Sequence, residues 1–177
     1  MDDRMNAWID SFAADVECVK KIVESTTAPK PARVLAAAAL GYLVKQMDLI
    51  PDFQPVHGLL DDAMVLRIAV AMASENDLGN FDAETTRGIG RLANEADTVA
   101  ELLGPDLHAR LKRYVQGLTR VEIRGRRPDL VTSDAKVRAQ FWIEIAGELK
   151  KLGPARMTDP DATLRTIKGY LEQKLPK

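Results

Sequence analysis

AMVLRIAVAMA, residues 63–73, decides the fold class: ten of its eleven residues are apolar, and Arg67 alone interrupts them. Apolar on every side, the stretch reads as a helix with no solvent face. ARVLAAAALGYLV, residues 32–44, is a second stretch of the same kind. Two helices without a wet face must cover one another and be covered in turn. The sequence therefore predicts an all-α, compact bundle of about seven helices around a buried central helical hairpin.

The flanking segments carry one apolar stripe each. Trp8, Phe12, Val16, Val19 and Val23 share a face at helical spacing and define the first helix. Thr26, Thr27, Pro29 and Pro31 interrupt it, proline suits the first turn of the next helix, and that second helix is expected to run to about Met47. The third is expected to start at Asp61 or Asp62. Ile89, Leu92, Ala96, Val99 and Leu103 mark a fourth, ended by Gly104-Pro105, and Leu107, Leu111, Tyr114, Leu118 and Val121 a fifth. A turn over residues 125–128 precedes a sixth with Val137, Phe141, Ile145, Leu149 and Leu152. The last, with Leu164, Ile167, Leu171 and Leu175, follows a capping-box-like stretch at residues 158–161. No strand and no threefold repeat is legible, so residues 1–177 are expected to form a single helical domain.

Composition bounds the function. With 46% hydrophobic and 29% charged residues, the chain is ordinarily globular and large enough to need no disulfide or metal to fold. The lone Cys18, an acidic rather than basic N-terminus and an apolar run of only eleven residues at 34–44 predict a cytoplasmic protein with no transmembrane segment. Net charge is −1, yet it divides unevenly. Nine cations face 17 carboxylates up to Gly104, and 16 face nine beyond it, giving −8 and +7.

Residues 42–66, YLVKQMDLIPDFQPVHGLLDDAMVL, hold the chain's most distinctive pattern. Between two buried helices, Pro51 and Pro55 can stiffen the connection, Gly58 can supply positive φ, and Asp61 can cap the third helix. Leu49, Ile50, Phe53 and Leu59 are expected to plug the open end of the hairpin. Alternatively, Asp48, Asp52, Asp61 and Asp62, with His57, converge as an oxygen-rich site for a hard cation such as Mg²⁺ or Ca²⁺. Caps are the commoner use of such residues. Tyr42, the DLIPD stretch at 48–52, Pro55, Gly58 and Asp61-Asp62 resemble the signature of the YkvA family, a small bacterial domain of unknown function. The chain has Gln46 where that family has proline, and His57 where it has an aliphatic residue. The resemblance implies a YkvA-like helical segment at about residues 30–76 and no known activity.

Other motifs carry less. Gly88, Gly90 and Ala93 match a dinucleotide fingerprint in spacing, but no strand precedes them. Two histidines and one cysteine cannot supply a usual structural zinc site, and His108 has no serine or cysteine nucleophile nearby in sequence. Arg110, Arg113, Arg120, Arg124 and Arg127 recur at intervals that place them on one face of a continuous helix within the basic half, residues 105–177. Arginine suits bidentate pairing with phosphate or carboxylate, so the stripe either packs on the acidic half or receives an anionic partner such as nucleic acid or acidic lipid. The expectation is a cofactor-free helical binding or scaffold protein that catalyses nothing and takes an unidentified protein partner. The rival is a metal-dependent enzyme built on the aspartates, steering a phosphate-bearing substrate with the arginines.

Overall fold

The structure, a computed structural model, describes residues 3–45, 49–51 and 55–177. Among them are eight helices: α1 (Arg4–Glu24), α2 (Lys30–Leu43), α3 (Pro55–Ala73), α4 (Ala83–Leu103), α5 (Pro105–Leu118), α6 (Pro128–Ser133), α7 (Ala135–Lys151) and α8 (Pro160–Lys174). No named strand occurs among the described residues, and the molecule is an all-α compact bundle. The α2–α3 pair lies at its centre. Residues 35–43 of α2 are all buried, as are 63–70 of α3, and α1, α4, α5 and α6 pack around the pair. An apolar stripe contributes most when it covers another, which is why Trp8, Phe12, Val16, Val19 and Val23 of α1 all point inward.

Local chemistry sets the helix boundaries. Proline occupies the first turn of α2, α5, α6 and α8, where its missing N–H costs nothing. Asp82, Asp134 and Asp159 cap α4, α7 and α8, each carboxylate accepting from backbone N–H groups of the first turn. Gly79, at φ +79°, lies so close to Thr27 that a Cβ would fall 2.2 Å from the threonine Oγ1. That approach ties the α3–α4 loop to the α1–α2 loop through Thr27 Oγ1 donating to the Leu78 carbonyl at 3.3 Å. Gly88 makes the α1–α4 approach instead: a Cβ there would stand 2.9 Å from Cys18 Sγ. Packing accounts for Gly88 in the dinucleotide-like motif, which lies inside α4.

Several expectations are corrected. The third helix begins at Pro55, two turns before Asp61, so Asp61 does not cap it, and Gly58 is helical rather than at positive φ. The second helix ends at Leu43, and Met47 lies outside the described residues. The fifth stops at Leu118, leaving Val121 exposed, because the chain turns back through Arg124 (φ 50°) and Gly125 (φ 77°). Ile123 and Arg126 bridge across that turn, and buried Ile123 packs at Gly41 of α2. A short helix, α6, follows where only a turn was expected, making eight described helices. Leu49, Ile50 and Leu59 are buried at the hairpin's open end, as expected; Phe53 lies outside the described residues.

Candidate functional site

The α2–α3 connection is fastened by one side chain from each helix. Tyr42 donates its hydroxyl to Asp61 Oδ2 at 2.6 Å and accepts the Leu49 N–H at 2.8 Å. Ile50 N–H donates to the same Asp61 oxygen at 3.3 Å. Burial, followed by the Asp61 charge, pushes the Tyr42 phenol well above its ordinary pKa, so it stays a donor. Buried backbone N–H groups at Leu49 and Ile50 would otherwise go unmet, and this latch supplies their acceptors.

Beside the latch lies a cleft of about 420 Å³. Its lining combines Leu43 at the end of α2 with Val44 and Lys45 just after it, Pro55, Gly58, Leu59 and Asp62 on α3, and Leu149, Lys151 and Leu152 at the end of α7. Phe12 of α1 contributes to its floor, and Arg124 and Glu148 to its rim. Among the described residues, no heavy atom outside its own helix stands within 4 Å of where a Cβ of Gly58 would sit, so the missing side chain leaves open space there. Lys45 Nζ donates to the Tyr114 hydroxyl at 2.8 Å and lies 5.4 Å from the Tyr114 ring centroid and 6.0 Å from that of Tyr42. The two rings meet edge to face, 6.1 Å apart, and fix the ammonium between them.

Of the expected metal ligands, Asp48 and Asp52 lie outside the described residues. Asp61 is engaged by the latch, while Asp62, one turn along α3 from Gly58, lines the cleft. Among the described residues no group of three or more His, Cys, Asp or Glu is placed to hold a metal ion. His57 occupies the first turn of α3, and burial lowers its pKa. His108 in α5 is lowered too, by burial and then by Lys112.

The arginines do not share one helix face, because α5 ends before three of them. Arg110 is buried and donates to the carbonyls of Glu172, Leu175 and Pro176, closing the C-terminal end of α8. Arg124 pairs with Glu144 at 3.5 Å and Glu148 at 3.7 Å, and Arg127 with Asp129 at 3.3 Å. These partners belong to the basic half, so the stripe does not pack on the acidic half as expected. Arg126, outside the expected set, makes the closest contact with Glu144, and that contact draws the Glu144 carboxyl below its ordinary pKa. Arg113 and Arg120 are exposed.

Sequence reasoning missed a second polar cluster. Arg67, wholly buried, donates to Asp15 at 3.0 Å, to Glu95 at 2.8 Å and to the Ala63 carbonyl at 3.1 Å, with Trp8 stacked 4.5 Å from its guanidinium carbon. Arg91 reaches the same two carboxylates from α4, and Ser11 donates to Asp15 at 2.9 Å. Burial pulls the Arg67 guanidinium below its usual pKa, and the Asp15 and Glu95 charges act against that shift. One signal was present: Asp15 falls within the apolar stripe of α1, and Arg67 alone breaks that of α3. The cluster ties α1, α3 and α4 together through buried ion pairs.

No helix among the described residues is long and apolar enough to cross a membrane. No curated protein and no solved structure matches the chain. A family model described as a protein of unknown function, DUF1232, matches residues 32–67. That stretch holds all but the first two residues of α2, the Tyr42–Asp61 latch and the α3 wall of the cleft, and over it the chain is similar to that family.

Proposed function

We propose that this chain works by binding rather than by catalysis, as a helical module that holds a small organic molecule in the cleft between α2, α3 and α7. The observation that carries the reading is the missing side chain at Gly58, which among the described residues leaves open space in a cleft that Phe12, Leu43 and Leu59 also line. A cleft of about 420 Å³ lies within the range of small-molecule sites, roughly 300–1,000 Å³, and its lining sets charged side chains beside apolar ones. The family-matched stretch supplies much of that wall, and the YkvA resemblance of residues 42–66 overlaps it. Both favour a module defined by this segment.

Gly58→Leu tests the reading. Glycine inside a helix costs up to about 1 kcal/mol relative to a good helix former, and the added side chain would project into the cleft, so the variant should fold at least as stably as the wild type. A thermal-shift screen of small organic acids, alcohols and amines is expected to give ligands that raise the melting temperature of wild type and leave Gly58→Leu unmoved. Equal shifts in both proteins, or no shift in wild type, would overturn the proposal.

A further inference from the structure

The charges around the cleft narrow the kind of molecule that its volume admits. Building on the binding role proposed for the cleft, we infer that the molecule it takes is an organic anion with an apolar body, its anionic group seated on Lys45. Three cations and two carboxylates line the cleft: Lys45, Arg124 and Lys151 against Asp62 and Glu148. Glu148 is already shared, by Arg124 at 3.7 Å and by Lys151 at 2.8 Å, and Arg124 also meets Glu144 at 3.5 Å. Asp62 has interactions of its own.

Lys45 differs. Among the described residues it makes no ion pair; its partners are the neutral Tyr114 hydroxyl and two aromatic faces. Rings and hydroxyl orient an ammonium without neutralising it. One of its three N–H groups is used by Tyr114, and among the described residues no acceptor takes the other two. Lys45 is half-buried and lines the cleft with Leu43, Val44 and Leu59, so a charged oxygen meeting it there is less screened than one on an open surface. A carboxylate or sulfonate head on Lys45 leaves the rest of such a molecule over Gly58, Leu59 and Phe12.

Phenylbutyrate, phenylbutanol and phenylbutylamine share one apolar body and carry a negative, a neutral and a positive end. Isothermal titration of each into the full chain, into Lys45→Gln and into Gly58→Leu tests the cleft and its charge preference separately. Wild type should bind the acid about tenfold more tightly than the alcohol, the usual worth of one charge-assisted hydrogen bond, and the amine most weakly. Lys45→Gln should lose that preference and keep its affinity for the alcohol, and Gly58→Leu should lose all three. Equal affinities for acid and alcohol in wild type, preference for the amine, or an acid preference that survives Lys45→Gln would refute the anion assignment while leaving the cleft as a binding site. Binding unchanged in Gly58→Leu, or no binding of any probe, would refute the cleft itself.

Discussion

Asp15→Ala is expected to destabilise the protein by about 3 kcal/mol, although the residue touches neither the cleft nor the latch. Asp15 is fully buried and accepts from Ser11, Arg67 and Arg91. Its removal strands the Arg67 guanidinium, also fully buried, with Glu95 as its remaining carboxylate. Breaking a buried ion pair from one side typically costs about 3–5 kcal/mol, because the surviving charge keeps its desolvation penalty and loses its compensation. The low end applies here, since Glu95 stays in place and is 26% exposed, within reach of solvent relaxation. At roughly 2–4 °C per kcal/mol for a chain of this size, the melting temperature should fall by about 6–12 °C. Urea unfolding followed by helical circular dichroism measures the loss directly. The double variant Asp15→Leu, Arg67→Met separates charge from packing. With both buried charges gone and similar volume retained, Arg91 and Glu95 still pair along α4 at the surface, and stability should return to within about 1 kcal/mol of wild type. A cost below about 1 kcal/mol for Asp15→Ala, or a double variant no better than the single, would refute the claim that the cluster's energetics are those of an uncompensated buried charge.

Ala69→Arg should abolish cooperative unfolding, because Ala69 is fully buried in α3 and a charge there has neither partner nor space; a folded variant would contradict the central position of the α2–α3 pair. Tyr42→Phe should cost about 1–3 kcal/mol and speed hydrogen exchange at the Leu49 amide, which loses its acceptor; unchanged exchange would mean that the latch does not hold the connection. Millimolar Mg²⁺ or Ca²⁺ should leave the melting temperature of wild type unmoved, and an EDTA-reversible rise would restore the aspartates as a cation site. Asp82, held at a pKa of about 2 by hydrogen bonds from the Thr85 hydroxyl and N–H, lies below its unfolded value of about 3.9. Its stabilisation is therefore present above about pH 4 and lost as pH falls towards 2. The gap in melting temperature between wild type and Asp82→Ala should close over that window, and a gap constant down to pH 2 would contradict the cap.

The sequence by itself determined most of the helices, and the inward faces of α1 and α4. Periodicity is a local property: side chains three and four apart share a side whatever the helix packs against, so the stripes of α1 and α4 were legible without a partner. Proline and glycine likewise act on their own backbone, which is why Gly104-Pro105 correctly marked the α4–α5 junction. The same local rule misled where tertiary contact overrode it. The arginine spacing continued the helical period past Leu118, but Ile123 reached the core at Gly41 and turned the chain back, scattering the arginines among local partners. Asp61 looked like a cap by its place before an apolar run; Pro55 started the helix earlier and turned Asp61 toward Tyr42. Asp15 and Arg67 are 52 residues apart, and only the packing of α1 on α3 made them a pair. The cleft needed more still, since its walls come from α2, α3 and the end of α7. Gly58 leaves a gap in one of those walls, and whether such a gap is filled or left open is decided by which residues of distant segments reach it.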